Sequence, residues 1–251
     1  MNHRLTTNLT SILTLALVWE ALGRGLQTIL IPPLSQIGSA WLHLIKNGGL
    51  LENLIISLGT LVVGFFLALT LGVAVGVLMG SFEKVEHCLD LYINGLMASP
   101  TIAFIPVLIL WFGLGVESRI AVVFLFSFFV IAVNTMTGVK YVDSSLVEMA
   151  RSFGAKGWEV FYKVQLPAAL PMIMAGVKLG VGRAVKGMVT GEVVLALTGT
   201  GAMIMQYGSA FATDALFAII LTILAVALIA MKIVEVIDRY LTSWKVEIAI
   251  E

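Results

Sequence analysis

The 251-residue chain has 59% hydrophobic residues, only 12% charged residues and a mean hydropathy of +1.03. Soluble domains have about 45–50% apolar and about 25% charged residues, so this composition predicts an integral membrane protein without a separate catalytic domain. The net charge of zero gives no electrostatic basis for binding nucleic acid, and the three histidines are too scattered to suggest a metal site.

Apolar windows predict an all-α fold with six transmembrane helices, which form one membrane domain over residues 1–251. The predicted spans are residues 9–29, 52–80, 91–114, 119–139, 173–197 and 215–237. By the positive-inside rule, the side richer in Lys and Arg is cytoplasmic. That side has Arg4, Lys84, Lys140, Arg151, Lys156, Lys163, Arg239 and Lys245, and the other has Lys46 and Arg119. We therefore expect both termini and the loop 140–171 to be cytoplasmic.

The first span has an acid and a base four residues apart, Glu20 and Arg24. This spacing lets each side chain neutralise the other on one helix face, which favours a structural ion pair near the membrane boundary. The following segment, residues 32–49, contains Trp41 and Leu42. An aromatic ring of this kind is favoured at the membrane interface, so we predict a short interfacial helix on the external side.

The second span has Gly72, Gly76 and Gly80 at four-residue spacing. They lie on one helix face and allow a neighbouring backbone to approach closely, so they predict a packing seam, with a hinge as the alternative.

The third span contains Ser99-Pro100-Thr101 and then Pro106. Each proline removes an intrahelical hydrogen bond, so we expect a kinked or broken helix. Such a break lines a cavity in some transporters and is tolerated by packing in other proteins, and the sequence leaves both readings open. The candidates for a translocation path are Ser99 and Thr101 beside this break and Asn134 in the fourth span.

The fifth span has four ionisable residues at membrane depth: Lys178, Arg183, Lys186 and Glu192. At about 100° per residue, the two lysines and the glutamate share one face, and Arg183 lies at its edge. The opposite face has the small residues Gly176, Gly180, Ala184, Gly187 and Gly191. Charges in the membrane must meet water, protein or an opposite charge, so this face predicts either an anion path or a structural network neutralised by another span.

The loop between the fourth and fifth spans is unusually organised. Residues 143–153 have the length of a short helix, which Asp143, Ser144 or Ser145 would cap, and Gly154 permits a left-handed turn after it.

The chain then returns toward the membrane. Trp158 and Phe161 are expected to supply apolar contacts, and Leu166-Pro167 and Pro171 are expected to act as breaks before the fifth span.

This loop resembles the motif E-A-A, three residues, G, nine residues, I-x-L-P of the membrane subunits of bacterial ATP-binding cassette (ABC) importers. The matching residues are Glu148, Met149, Ala150, Gly154, Val164, Leu166 and Pro167, with Met149 and Val164 as apolar departures. The resemblance implies a type I ABC importer permease fold in which the helix 143–153 couples to an ATPase. The coupling residues would be Glu148, Met149, Ala150, Arg151, Ser152, Gly154, Ala155, Leu166 and Pro167.

Three further segments are similar to the nitrate/sulfonate/taurine/bicarbonate branch of these permeases. They are residues 105–115, the Glu192 region with Gly199-Thr200-Gly201, and residues 238–244. The similarity implies a small anionic solute such as a sulfonate, nitrate or carboxylate. Thr60 departs from the branch, whose members often have Arg there. A pyrimidine-like, vitamin-like or aromatic solute is the alternative.

The same resemblance implies a multi-pass subunit of the bacterial cytoplasmic membrane that works by alternating access. Its partners would be two cytoplasmic ABC ATPases, a second permease chain and an external solute-binding protein. The chain has no GxxxxGK[ST] loop, so ATP and magnesium would be bound by the ATPases, and this chain would have no cofactor of its own and would not be an enzyme.

Two other classes of protein are alternatives. An ion channel or gradient-driven carrier could use the charges of the fifth span, but it would not need an organised cytoplasmic loop. A membrane enzyme would need clustered carboxylates or histidines, and the sequence shows no such cluster.

Overall fold

The computed structural model describes residues 2–26, 28–195 and 197–242, and all regular elements in these ranges are helical. Trp244, Lys245 and the side chain of Arg4 lie outside this description. The helices are α1 (Asn2–Leu26), α2 (Leu34–Lys46), α3 (Leu50–Ser81), α4 (Glu83–Ala98), α5 (Ile105–Phe112), α6 (Val116–Lys140), α7 (Ser144–Ser152), α8 (Gly157–Val160), α9 (Leu166–Leu195), α10 (Thr200–Ser209) and α11 (Thr213–Leu241).

Among these described residues, four helical stretches are long and apolar enough to cross a membrane. They are Leu50–Ser81, Val116–Lys140, Gly157–Leu195 and Thr213–Leu241, and the bent pair Glu83–Ala98 and Thr101–Phe112 brings the number to five. These stretches confirm an all-α membrane protein. The helix α1 overlaps the predicted span 9–29, but the count of six spans and the cytoplasmic position of the termini stay predictions.

The chain forms two compact units, of which the first comprises Met1–Ser57 and Leu195–Val226. Its core is built from one face of the short helix α2 together with α10 and the first half of α11. The buried residues are Ile37, Leu44, Leu50, Met203, Ala215, Ala218 and Ile219. The predicted short helix after Pro33 is thus confirmed as α2, and the predicted Glu20–Arg24 pair is present, with 2.6 Å between Arg24 Nη2 and Glu20 Oε1.

Side chains of α3 cap the N-terminus of α10 in this first unit. The Gly199 backbone N–H donates to Asn53 Oδ1 at 2.8 Å, and the Thr200 backbone N–H donates to Ser57 Oγ at 2.9 Å. A helix N-terminus has unsatisfied N–H groups, and here residues distant in sequence satisfy two backbone donors. Gly199 has a φ of 92°, so the approach to α10 needs the conformational freedom of glycine.

The second unit comprises Leu58–Val194 and Ala227–Glu251, and glycines bring its helices together. Gly72, Gly76 and Gly80 of α3 all face α6, and a Cβ added at Gly76 would lie 2.5 Å from the Ala132 carbonyl oxygen. The predicted packing seam is therefore confirmed. The glycine face of α9 also packs on α6, in antiparallel register. Gly176 lies against Asn134, and later glycines of α9 lie against earlier residues of α6. These further contacts are Gly180 with Ile131, Gly187 with Phe126 and Gly191 with Val122.

The third predicted span is broken, as its prolines predict. Helix α4 ends at Ala98, a 3₁₀ turn covers Thr101–Phe104, and α5 begins at Ile105, with a bend of 99° between the two helical parts. Helix α4 begins at Glu83, eight residues before the predicted start of the span at residue 91. Its first turns carry charged residues that are helical, and the membrane boundary at residue 91 stays a prediction.

The helix that contains the predicted fifth span is not broken at Pro171. Helix continues from Gly157 to Leu195, and Pro171 lies inside α9, so it does not act as a break. The missing N–H of Pro171 removes one hydrogen bond, whereas the continuous helix buries Ala169, Ile173 and Met174 in the core of the unit. Burial of this apolar face outweighs the lost bond.

Candidate functional site

The loop helix α7 begins at a side-chain cap. The Asp143 carboxylate accepts a hydrogen bond from the Ser145 backbone N–H at 2.9 Å, so of the three predicted caps the structure selects Asp143. This bond holds the pKa of the Asp143 carboxyl below its ordinary value. A lowered pKa keeps the cap ionised at neutral pH, and its stabilising contribution is lost only as the pH falls through that value.

The C-terminus of α7 explains the spacing of the loop motif. The Gly154 N–H donates to the Arg151 carbonyl at 2.9 Å, and the Ala155 N–H reaches back to the Ala150 carbonyl at 3.1 Å. These two bonds define a Schellman cap, whose central residue adopts a left-handed backbone, and Gly154 has a φ of 83°. Ala150 and Ala155 are both half-buried, as the apolar contact of such a cap requires. The interval from Ala150 to Gly154 is therefore set by backbone hydrogen bonding.

The return to the membrane begins with α8. The Lys156 backbone N–H donates to Glu159 Oε2 at 3.0 Å, and Lys163 Nζ lies 3.0 Å from Glu159 Oε1. Phe161 packs on the core of the second unit, whereas Trp158 is 62% exposed. The expectation that Trp158 packs as an apolar anchor is therefore not met within the described part of the chain.

A π-helical turn, Phe161–Gln165, joins α8 to α9 without interrupting the helix. The Leu166 N–H donates to the Phe161 carbonyl, one residue further back than in an α-helix. The ring of Pro167 would clash with the Lys163 carbonyl in a regular helix, and the wider turn relieves this clash. Leu166 itself packs on the core of the second unit. The last two motif residues thus fix how the loop enters α9.

The outer face of α7 is an exposed apolar stripe formed by Leu146, Met149 and Phe153. These residues are three and four apart, so they share one helix face, and Phe153 is 86% exposed. The opposite face has Glu148, Arg151 and Ser152, which are also exposed. An exposed stripe of this kind on a short helix is typical of a surface that contacts another protein.

The candidate path residues Ser99, Thr101 and Asn134 are half-buried. Ser99 Oγ donates to the Gly95 carbonyl at 2.8 Å, and Asn134 Nδ2 donates to the Val130 carbonyl at 2.7 Å. Both side chains therefore bond to their own helices, and their role in a path stays a prediction.

The four charged residues of α9 lie in three different environments. Lys178 Nζ lies 2.5 Å from Asp238 Oδ2 of α11, Arg183 and Lys186 are exposed, and Glu192 is fully buried. Asp238 corresponds to the acid on another span that the sequence left open. No local signal could identify it, because the two residues are 60 positions apart.

A buried basic residue of α6, Arg119, was not singled out by sequence reasoning except as a loop charge. It is buried, and it lies one helical turn from Val122, which packs on Gly191, the neighbour of Glu192. Opposite charges are thus buried at similar levels of α6 and α9. A low-dielectric site favours such an arrangement only when the charges are compensated.

Comparisons with known proteins agree with this geometry. A family model described as the binding-protein-dependent transport system inner membrane component matches residues 68–243. A Bacillus subtilis protein provisionally named an aliphatic sulfonates transport permease is 34% identical over 91% of this chain and 83% of its own. The taurine transport system permease of Escherichia coli is 29% identical over 99% of this chain and 93% of its own. An inward-facing structure of the MetNI methionine ABC transporter has a TM-score of 0.68 and 20% identity, covering 77% of this chain and 96% of that chain.

Proposed function

This chain belongs to the family of binding-protein-dependent transport inner membrane components and is an ABC importer permease, and we propose that it transports a small anionic solute, with a sulfonate as the first candidate. The sulfonate class is supported by the names of two relatives that cover most of the chain, the sulfonates and taurine permeases. The resemblance of residues 105–115 and 238–244 to the same branch supports the same class.

The organised loop is the place where we assign coupling to an ATPase. The exposed stripe Leu146, Met149 and Phe153 would lie in a groove of a cytoplasmic ATPase subunit, and Glu148 and Arg151 would contact the rim of that groove. ATP and magnesium would be bound by that partner. A second permease chain and an external binding protein would complete the importer.

One structural observation carries the coupling proposal: α7 is joined through a fixed turn to helix that is continuous from Gly157 to Leu195. The Schellman cap at Gly154 fixes the angle between α7 and α8. The π turn Phe161–Gln165 then continues into α9 without a flexible joint. A displacement of α7 by the ATPase would therefore move α9 as a rigid element. The glycine face of α9 would transfer that movement to α6.

Transport would follow from alternation between two arrangements of these helices. ATP binding would draw the two α7 helices of a permease pair together and open the path outward, and hydrolysis would reset it. The exposed cations Arg183 and Lys186 are the residues of α9 best placed to attract an anion. Lys178 is bonded to Asp238, and Glu192 is buried. In this proposal both termini and the loop 140–171 are cytoplasmic.

The test is reconstitution of the permease with its ATPase and binding protein in vesicles, with uptake and ATP hydrolysis measured together. Glu148→Lys should lower the amount of solute taken up per ATP hydrolysed. Glu83→Lys, an exposed acid at the start of α4 on the same predicted side, is the matched control and should behave as wild type. Equal coupling in both variants, or uptake that continues without ATP, would contradict the assignment.

The solute is tested separately by measuring which compounds the binding protein delivers. Taurine and an alkanesulfonate should be taken up, whereas a pyrimidine or a vitamin should not. Uptake of the pyrimidine with no uptake of either sulfonate would replace the anionic proposal and leave the coupling role intact.

A further inference from the structure

A cluster of charged side chains lies at the end of α11 and extends to Lys178 of α9. Glu235 is bonded by two cations, with 2.9 Å to Lys232 Nζ and 2.7 Å to Arg239 Nη2. Asp238 is bonded by Lys178 at 2.5 Å. Three cations therefore meet two carboxylates, and the cluster has one excess positive charge.

The cations form the outer layer of this cluster. The side chains of Lys232 and Arg239 are 63% and 71% exposed, whereas those of Glu235 and Asp238 are 35% and 20% exposed. A lysine has three N–H donors and an arginine five, so the ion pairs leave donors that point outward. The cluster thus presents unused positive donors toward its surroundings.

Next to these cations is a cleft of about 640 Å³. Its polar lining is Lys178, Lys232 and Glu235, and its apolar lining is Leu228, Ile229 and Met231. A cleft with cations at one end and exposed aliphatic side chains at the other matches an amphiphile better than a small hydrophilic anion.

The position of the cleft along α11 matches the boundary of a bilayer. The uncharged stretch from Ala215 to Met231 is about 26 Å long at 1.5 Å per residue, close to the roughly 30 Å of a hydrocarbon core. Lys232 then lies at the level of the lipid headgroups, and Leu228 and Ile229 lie at the level of the acyl chains.

We propose that this cleft binds an anionic phospholipid. The lipid phosphate accepts hydrogen bonds from Lys232, which lines the cleft, and from Arg239, which is bonded to the lining residue Glu235. An acyl chain lies along Leu228 and Ile229. A second copy of this chain is a poorer occupant, because a two-fold symmetric contact would bring the same positive patch against itself. The site is independent of the transported solute and needs only that α11 crosses the membrane.

The experiment is native mass spectrometry of the permease taken from bilayers of dioleoyl phosphatidylcholine with a fraction of dioleoyl phosphatidylglycerol. The double variant K232A/R239A should bind phosphatidylglycerol about twenty-five-fold more weakly, since each of the two basic residues near an anionic leaflet contributes a factor of about five. The control K84A/K163A removes the same charge elsewhere on the same predicted side and should keep wild-type binding. A thermal melt of each variant establishes that it is folded.

A second variant, Ile229→Gln, separates a lipid from a free anion. For a lipid site it should weaken phosphatidylglycerol binding several-fold while all cations remain. Equal binding of phosphatidylcholine and phosphatidylglycerol would overturn the proposal, as would an equal loss in K84A/K163A. Binding of inorganic phosphate alone, unaffected by Ile229→Gln, would identify a small-anion site in its place.

A cysteine probe tests whether a second copy covers the cleft. Cys88 is the only cysteine in the chain, so Ile229→Cys in a Cys88→Ser background has one thiol. For a lipid site, this thiol should not form a disulfide with another copy under mild oxidation in the bilayer. An efficient crosslink between two copies would overturn the lipid proposal.

Discussion

Replacement of Gly154 by alanine tests whether the turn after α7 depends on backbone conformation. Gly154 has a φ of 83°, and a Cβ built on it has no heavy atom within 4 Å. The substitution therefore creates no clash within the described chain, and its cost arises from the left-handed backbone, about 1–2 kcal/mol. We expect the Schellman cap to open and α7 to lose its fixed angle to α8.

Gly157→Ala is the matched control. Gly157 also has open space around its Cβ position, but it starts α8 and does not have a positive φ. Both substitutions reduce the freedom of the unfolded chain by the same amount, so this contribution cancels in the comparison. The two variants then differ in turn stability only by the cost of the left-handed backbone at residue 154. This cost changes the equilibrium population of the turn by a factor of about 5–30.

The assay combines hydrogen exchange of the amides of residues 150–156 with solute uptake per ATP hydrolysed. Gly154→Ala should lose protection at the Ala155 amide and lower coupling, and Gly157→Ala should change neither. Gly154→Asn should fall between them, because asparagine tolerates the left-handed region. If Gly154→Ala and Gly157→Ala gave the same protection and uptake, the backbone explanation of the motif glycine would be wrong.

Three further substitutions test the packing and the caps. Gly76→Ala places a Cβ 2.5 Å from a backbone carbonyl of α6 and should lower stability by about 1–3 kcal/mol in thermal unfolding. Gly59→Ala in the same helix has open space around its Cβ and should keep or slightly raise the melting point, because alanine favours the helix. Equal melting points of the two variants would refute this reasoning. Phe211 is 73% exposed and has a φ of 54°, in a Schellman position that favours glycine. Phe211→Gly should therefore stabilise the protein by about 1 kcal/mol. A lower melting point of this variant would show that the phenylalanine ring is needed. Ser57→Ala removes the Oγ that accepts the hydrogen bond from the buried Thr200 N–H, and it should lower stability by about 1–3 kcal/mol. Hydrogen exchange at the Thr200 amide should become faster. Unchanged exchange at this amide would count against the cap.

Features of the loop 140–171 could be predicted from the sequence because they are local. The Asp143 cap and the left-handed turn at Gly154 depend on hydrogen bonds between residues no more than five apart. The break at Pro100 is local for the same reason, although its angle of 99° is not. The predicted break at Pro171 was wrong because burial of one face of α9 in the core of the second unit outweighs one missing bond.

The environments of the charged residues could not be predicted in this way. A helical projection places Lys178, Lys186 and Glu192 on one arc, but it contains no information about which helix covers each part of that arc. In the structure Lys178 bonds to Asp238, Lys186 is exposed and Glu192 is fully buried. The same limitation applies to the trans cap of α10, whose acceptors are on α3, more than 140 residues away.

The sequence by itself determined the membrane class, the approximate helices, the local structure of the loop 140–171 and the resemblance to ABC importer permeases. Hydropathy, caps and turns are properties of neighbouring residues, so the order of amino acids is sufficient to specify them. Only the tertiary structure decided which glycines pack on α6, which acid neutralises Lys178 and which charges remain exposed. These outcomes depend on contacts between helices distant in the chain, where burial and charge compensation act together and no local pattern records the partner.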